Sequence, residues 1–204
     1  MTQVFPKLIT FEEFIDWYPN KGILYELRDG VIIEMPPPTG DHEKVVGFIA
    51  RKLTVEFDRL NLPYTVPKTA FVKPERANSA YSPDVLLLNL DNLSNEEFWK
   101  QASTVTQAAS IPLLVEVVSS NWRDDYYKKL ADYEEIGIPE YWIVDYAARG
   151  GKKFLGDPKQ PTIFVCELVN GEYIMNQFQG NSQIISPNFS QLNLTAQQVF
   201  EAAL

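Results

Sequence analysis

Two acidic residues stand in runs of apolar residues that are typical of buried β-strands. Asp84 opens the apolar run 85–88, and Glu116 interrupts the apolar run 113–118. A strand that is apolar on both faces belongs in the middle of a covered sheet. A carboxylate there is costly unless a cation, a strong hydrogen-bond donor or a shifted pKa compensates it. The pattern therefore predicts two neighbouring strands whose acids could share one divalent metal ion.

The composition limits the alternatives to this site. The chain has 204 residues with ordinary apolar and charged fractions, which predicts a single globular domain over residues 1–204. Cys166 is the only cysteine and His42 the only histidine, so this chain alone can form neither a disulfide framework nor a zinc cluster. Carboxylates and lysines must carry any acid-base chemistry.

Charge and hydropathy narrow the class of protein further. Residues 1–7 lack the basic start and long apolar core of a signal peptide, and no apolar stretch is long enough to span a bilayer, so we expect a cytoplasmic protein without membrane contact. The net charge of -9 argues against tight nonspecific binding to a polyanion. A role on nucleic acid therefore needs a local basic patch or a metal ion.

Apolar periodicity and turn residues predict an α/β order of elements. Asp29-Gly30, between two short apolar runs, predicts a two-residue β-hairpin. A helix over about 122–136 between the strands 113–118 and 140–145 predicts a right-handed parallel crossover. The other expected elements are helices over 11–17, 41–61 and from Thr195, strands near 24–28, 31–35, 82–88, 162–168, 173–178 and 183–185, an extended segment around 64–72, and a surface excursion over 89–110.

Two adjacent lysines follow Glu116, and helical geometry separates them. Lys128 shares its helix face with Asp124, Asp125, Asp132 and Glu135, which recur at helical spacing and predict a solvated charged stripe. Lys129 points in a different direction, on the face with Trp122, Tyr126, Tyr133 and Ile136 that should contact the sheet. Because helical side chains lean toward the N-terminus, Lys129 should extend back toward the end of the Glu116 strand.

These residues occur in a familiar order. The segment 82–84 (Ser-Pro-Asp), the segment 116–119 (Glu-Val-Val-Ser), Lys129, Tyr133 and the strand 140–145 together resemble the PD-(D/E)XK nuclease superfamily. More narrowly, the chain resembles the Uma-type family of restriction endonucleases, from about Thr10 to the C-terminal helix. The ordered set of motifs carries this resemblance rather than any single motif.

The resemblance implies a fold and a chemistry. The expected fold is α/β, with a restriction-endonuclease-like mixed central sheet flanked by helices and an appended antiparallel β section. The implied activity is metal-dependent endonucleolytic hydrolysis of DNA, in which Asp84 and Glu116 bind Mg²⁺ or Mn²⁺ with the Val117 carbonyl and waters. Lys129 would assist the attacking water. The superfamily's usual lysine position, two residues after the second acid, is Val118 here, so Lys129 must act from the helix.

Other interpretations of the same residues stay open. Asp84, Glu116 and Lys129 could instead form an ion-pair network in a catalytically silent interaction module, or the nuclease could act on RNA. Glu26 is either an accessory metal or hydrogen-bonding residue, or a solvated strand carboxylate. His42 either assists phosphate binding or proton transfer, or makes a local hydrogen bond. By analogy with the superfamily, a homodimer could place two sites on two DNA strands.

A basic loop is not part of the predicted metal site. Arg149, Lys152 and Lys153 surround Gly150-Gly151. They predict a surface loop, which could contact a nucleic-acid backbone or be ordinary solvated surface. No helix or motif that would recognise bases is identifiable.

Overall fold

The structure is a computed structural model that describes residues 7–19, 22–75 and 78–204. The expectation about a signal peptide concerns residues 1–7, of which residues 1–6 lie outside the described part. Within the described ranges, no helix combines the length and apolar character that crossing a membrane requires.

Helices and short helical turns alternate with strands along the chain. The helices are α1 (Phe11–Trp17), α2 (Gly40–Arg59), α3 (Trp99–Ala102), α4 (Lys129–Ile136), α5 (Lys152–Leu155) and α6 (Ala196–Glu201). A π-helical turn, Asp124–Lys128, leads directly into α4, and 3₁₀ turns occur at Leu93–Asn95 and Ala108–Ser110. The strands are β1 (Tyr25–Arg28), β2 (Val31–Glu34), β3 (Tyr64–Thr65), β4 (Phe71–Val72), β5 (Val85–Asn89), β6 (Thr104–Val105), β7 (Leu113–Val117), β8 (Glu140–Asp145), β9 (Thr162–Val169) and β10 (Glu172–Phe178).

The predicted N-terminal hairpin is confirmed. β1 and β2 pair in antiparallel fashion, and the two turn residues Asp29 and Gly30 have φ values of 49° and 80°. Positive φ at both positions is the requirement of a type I′ turn. The other edge of β1 bonds to the segment before β5, because the Leu27 and Ala80 backbones exchange two hydrogen bonds of 3.1 and 2.8 Å. These bonds bring Glu26 close to the start of β5.

The central sheet has six strands in the order β10-β9-β8-β7-β5-β3. β7 and β8 are parallel, as the strand-helix-strand pattern predicts, and the other neighbouring pairs are antiparallel. Val85 pairs with Val115 across β5 and β7. Continuing this register by one residue places Asp84 opposite Glu116, so the two acids do come from neighbouring strands.

Helices cover both faces of this sheet. On one face, Val45 and Leu53 of α2 belong to a buried cluster with Val115 and Trp142, and Val199 of α6 joins the same cluster. The other face carries a second buried cluster that includes the side chains of Tyr126, Tyr133, Leu114, Ile143 and Phe164. This two-sided cover explains why the central strands are apolar on both faces.

The appended antiparallel β section is confirmed, because β9 and β10 extend the central sheet in antiparallel fashion. Two other details of the sequence prediction differ from the structure. The strand expected over 183–185 is wrong, because only an isolated bridge between Gln183 and Thr195 forms there. The prediction that residues 89–110 form a surface excursion is wrong in part, because β6 pairs with β4 and Val105 is fully buried. Such pairings depend on distant segments and leave little periodicity in a two-residue strand.

Candidate active site

A cavity of about 400 Å³ opens where β5 begins and β7 ends. The start of α2, the proline-rich loop after β2, the loop after β7 and the π turn complete its wall. Its polar lining brings together residues that are distant in the sequence, namely Glu26, His42, Asp84, Glu116, Asp125 and Lys129.

Asp84 lies at the entry to β5 and is held by the backbone of the neighbouring strand. Its Oδ2 atom accepts a hydrogen bond of 2.7 Å from the Val117 N–H. The side chain retains 26% of its exposure, in contrast to the enclosed Glu116 side chain at 4%. Asp84 therefore presents a positioned carboxylate to the cavity, and its Oδ1 atom takes no part in this bond.

Glu116 and Lys129 form a buried ion pair. Lys129 Nζ lies 2.9 Å from Glu116 Oε1, and the Tyr133 hydroxyl donates a hydrogen bond of 2.8 Å to the same oxygen. Lys129 is only 2% exposed, because the sheet and the Tyr81 ring surround it. The expectation that Lys129 extends from the helix toward the Glu116 strand thus agrees with its position.

Glu26 provides a second anionic contact for Lys129. Its Oε1 atom lies 3.2 Å from Lys129 Nζ and accepts a hydrogen bond of 3.2 Å from the Ser82 N–H. Its Oε2 atom accepts hydrogen bonds of 3.1 and 2.7 Å from Arg28. The interpretation of Glu26 as a solvated strand carboxylate is wrong, because the residue is fully buried.

The predicted charged stripe around Lys128 is confirmed only in part. Lys128 is partly exposed, and it pairs with Asp29 at 3.0 Å and with Asp132 at 3.1 Å. Asp125 and Asp132 are buried at 4% and 7% exposure, although a regular helix predicts both on the solvated face. Asp125 lies 3.8 Å from Lys129, four residues further along the helical segment, which is a spacing that places two side chains on one helix face.

His42 connects the start of α2 to the two candidate metal-binding strands. Its Nε2 atom lies 3.0 Å from the Val117 carbonyl oxygen and 3.5 Å from Asp84 Oδ2. Nδ1 is buried without a hydrogen bond among the described residues, although Glu43 Oε1 lies 3.5 Å away. Its interpretation as a local hydrogen-bonding residue thus fits the geometry, and its place in the cavity wall keeps the functional interpretation open.

The cavity contains more acidic than basic side chains, and burial and charge shift the pKa values of several of them. Burial raises the pKa of Glu116 well above its ordinary value, against the opposing effect of Lys129. Burial likewise raises the pKa of Asp125 to about 7. Burial lowers the pKa of Lys129, but three neighbouring acids outweigh it and raise the pKa well above its usual range. Lys129 is therefore an ammonium group that cannot accept a proton at neutral pH.

Two other groups are held in their charged forms. Burial raises the pKa of Glu26, but Lys129 and Arg28 outweigh it, and the net pKa is lowered. Burial lowers the pKa of His42, but the adjacent Asp84 outweighs it and raises the pKa to about 9. A positively charged imidazole consequently faces Asp84 at neutral pH.

The donor chemistry suits a hard divalent ion. Asp84, Glu116 and the Val117 carbonyl offer oxygen atoms, which Mg²⁺ and Mn²⁺ prefer. The hydrogen bonds and ion pairs described above use Asp84 Oδ2 and Glu116 Oε1, and the second oxygen of each carboxylate stands outside them. Within the described residues, no three His, Cys, Asp or Glu side chains form a metal cluster. Waters would therefore supply the remaining ligands, as Mg²⁺ usually requires.

Sequence reasoning missed three contributors to this site. The spacing from Lys128 places Asp125 on the solvated face, whereas its position four residues before Lys129 is the helical spacing that indicates the observed contact. The Tyr133 hydroxyl bonds to Glu116, but aromatic residues on a buried face ordinarily indicate packing. Arg28 pairs with Glu26, two residues away, and also with Asp124. No local sequence pattern connects Arg28 with the distant Asp124.

The fold and this cavity define a class before any relative is considered. A mixed sheet with helices on both faces and an acid at each of two adjoining strands is the arrangement that the sequence analysis predicts for a restriction-endonuclease-like fold. Among solved structures, a protein from Anabaena variabilis ATCC 29413 described as "a putative nuclease belonging to DUF820" has a similar fold, with a TM-score of 0.73. The two are 18% identical, and the match covers 96% of this chain and 99% of the other.

Sequence comparison then specifies the family. The family model described as "Uma2: Putative restriction endonuclease" matches residues 11–197. The chain belongs to this family, and the resemblance drawn from its motifs is confirmed. No curated protein is significantly similar to the chain.

Proposed function

We propose that the protein is a metal-dependent endonuclease that hydrolyses DNA phosphodiester bonds. The family description and the fold support nuclease activity in general. The observation that carries the finer proposal is the convergence of Asp84, Glu116 and Lys129 on one cavity, with Lys129 Nζ 2.9 Å from Glu116. Restriction-endonuclease-like families generally use divalent metals, and the oxygen donors of this cavity are compatible with Mg²⁺ or Mn²⁺.

Each residue has a distinct part in this proposal. Asp84 and Glu116 would hold the metal, with the Val117 carbonyl beside them. When bound, the ion would polarise the scissile phosphate and stabilise the charge that develops on it. Lys129 would orient the attacking water and contact the phosphate as an ammonium donor, because its raised pKa prevents it from acting as a base. Glu26 and Tyr133 would position Lys129 and Glu116 through the contacts described above.

Binding of Mg²⁺ or Mn²⁺ should raise the melting temperature of the protein. A ligand at about 100 times its dissociation constant stabilises the native state by ~2.7 kcal/mol. Asp84→Asn and Glu116→Gln should each abolish this response, and Glu172→Gln, at an exposed position on β10, should preserve it. Thermal shift and calorimetric titration measure these effects. Metal binding by both site variants with wild-type affinity would disprove the assignment.

One observation favours a different function, namely that of a silent interaction module. Lys129 is ion-paired to Glu116 and Glu26 inside the protein, as a structural network would require. Such a module needs no divalent ion. The metal titration therefore separates the two functions, and parallel cleavage assays on DNA and RNA separate the two substrates.

We also propose a homodimer, so that two sites can cut two strands. Large apolar side chains are exposed near the N-terminal hairpin, including Trp17, Leu24 and Val31. Light scattering should give twice the mass of one chain. A monomeric mass over a wide concentration range would contradict this prediction. The cytoplasmic location and the single domain stay predictions.

A further inference from the structure

The predicted basic loop forms a continuous surface with the start of the π-helical segment. We call this surface the basic face and define it by Arg123, Arg149, Lys152 and Lys153, which are all exposed. Residues 146–160 contain four basic residues and one acidic residue, whereas the whole chain carries a net charge of -9. The basic face is therefore a local reversal of the protein's charge.

Specific contacts fix the loop at the end of β8 and beside the helical segment. The Asp145 carboxylate accepts hydrogen bonds of 2.8 and 2.7 Å from the Arg149 and Gly150 N–H groups. A Cβ atom at Gly151 would lie 3.0 Å from the Trp122 ring, so a glycine permits this close approach. The positions of the basic residues are therefore set by the fold.

Two of the four cations of the basic face lie beside aromatic rings. Arg123 lies 4.6 Å from the Trp122 ring centre, and Lys153 lies 4.6 Å from the Tyr127 ring centre. Across the part of the chain that the structure describes, no ion pair includes Arg123, Arg149 or Lys153. Only Lys152 has an acidic partner, Asp157, and that pair is exposed. These charges are thus available to an external anion, unlike that of Lys129.

The basic face continues into the cavity of the candidate active site. Arg149 and Asn121 line the same cavity as Asp84 and Glu116, and Arg123 follows two residues after Asn121. A polyanion that placed one phosphate in the cavity would extend its neighbouring phosphates across these cations. Interfaces with nucleic acid gain most of their sequence-independent affinity from such contacts.

We propose that the basic face binds the phosphate backbone of the DNA whose scissile phosphate enters the cavity. This inference rests on the proposed function and adds the surface that holds the substrate. It also explains how an acidic protein can bind a polyanion, because positive charge is concentrated beside the site that needs it.

The test compares two double variants with the same change in charge. Arg149→Glu with Lys153→Glu alters the basic face. Arg51→Glu with Lys52→Glu alters α2, on the other face of the sheet, where both cations also lie over an aromatic ring, that of Phe48. Fluorescence anisotropy with a labelled DNA duplex of about 20 base pairs, in EDTA and in Ca²⁺, measures binding over a range of salt concentrations.

The basic-face variant should bind DNA at least about tenfold more weakly, and the slope of log K against log salt should fall by about two, one for each lost phosphate contact. The α2 variant should keep most of the affinity and the wild-type slope. Equal losses in the two variants, or no DNA binding by the wild type, would overturn the proposal. Thermal melting checks folding, and Arg149→Gln with Lys153→Gln repeats the test without charge reversal.

Cleavage assays on the same proteins keep this inference separate from the proposed function. If the wild type cleaves no DNA but the basic-face variant alone loses binding, the surface assignment stands and the nuclease proposal fails. If the wild type cleaves DNA and the basic-face variant binds and cleaves equally well, only the surface assignment fails.

Discussion

Lys129→Ala should reduce nuclease activity by about 10²-fold or more, whereas Lys128→Ala should retain most of the activity. Lys129 contacts Glu116 in the cavity, and its ammonium group is the donor that the proposed mechanism assigns to water and phosphate. Lys128 makes partly exposed ion pairs with Asp29 and Asp132. Purified protein with Mn²⁺ and several forms of DNA is the assay, and equal activity in the two variants would reject the role of Lys129.

Folding must be measured alongside this activity. Removing one partner of a buried ion pair costs on the order of 3–5 kcal/mol, because the remaining charge loses its compensation. Here three acids would face one another in place of Lys129. Circular dichroism and melting should confirm that Lys129→Ala remains folded at the assay temperature. Lys129→Gln, which keeps a hydrogen-bond donor toward Glu116, provides a second variant. A folded wild type that is inert on every substrate would favour the silent module.

Glu140→Ala should lower the free energy of unfolding by about 3–5 kcal/mol. The substitution leaves several donors without their acceptor, and each buried donor left unsatisfied costs ~1–3 kcal/mol. Glu140 is fully buried on β8 and accepts a hydrogen bond of 2.6 Å from Trp142 Nε1. Its second oxygen accepts hydrogen bonds of 3.0 Å from the Ser186 hydroxyl, and of 2.9 and 2.8 Å from the N–H and Nδ2 of Asn188. These bonds attach the C-terminal segment to the sheet.

Urea unfolding provides the measurement for Glu140. Glu140→Gln should cost less than Glu140→Ala, since one side-chain oxygen remains to accept from Trp142. The matched control is Glu172→Ala, at an exposed strand position, which should change stability by no more than about 0.5 kcal/mol. A Glu140→Ala protein as stable as this control would show that the network contributes little.

Local patterns in the sequence are sufficient to predict many of the helices, strands and turns. Asp29-Gly30 predicted the hairpin, because a type I′ turn requires positive φ at both residues. Apolar periodicity predicted α2 over 41–61, close to the observed Gly40–Arg59. Gly137, with a φ of 86°, ends α4 as its position after the periodic residues predicted.

Several parts of the site depend on contacts that no local pattern encodes. Asp125 is three residues before Lys128 and four before Lys129, so helical spacing permits a contact with either lysine, and the fold places it 3.8 Å from Lys129. Glu26 has an ordinary place in a short hairpin strand. Its burial arises because β1 bonds to the segment that precedes Asp84.

By itself, the sequence determined the two acidic strands, the separation of Lys128 from Lys129 and the family, because each depends on residue order and short-range periodicity. Only the tertiary structure decided which acids surround Lys129, that His42 faces Asp84 and Val117, and that the basic face adjoins the cavity. Ion pairs and pKa values depend on distance and burial, and folding sets both quantities among segments that are far apart in the chain.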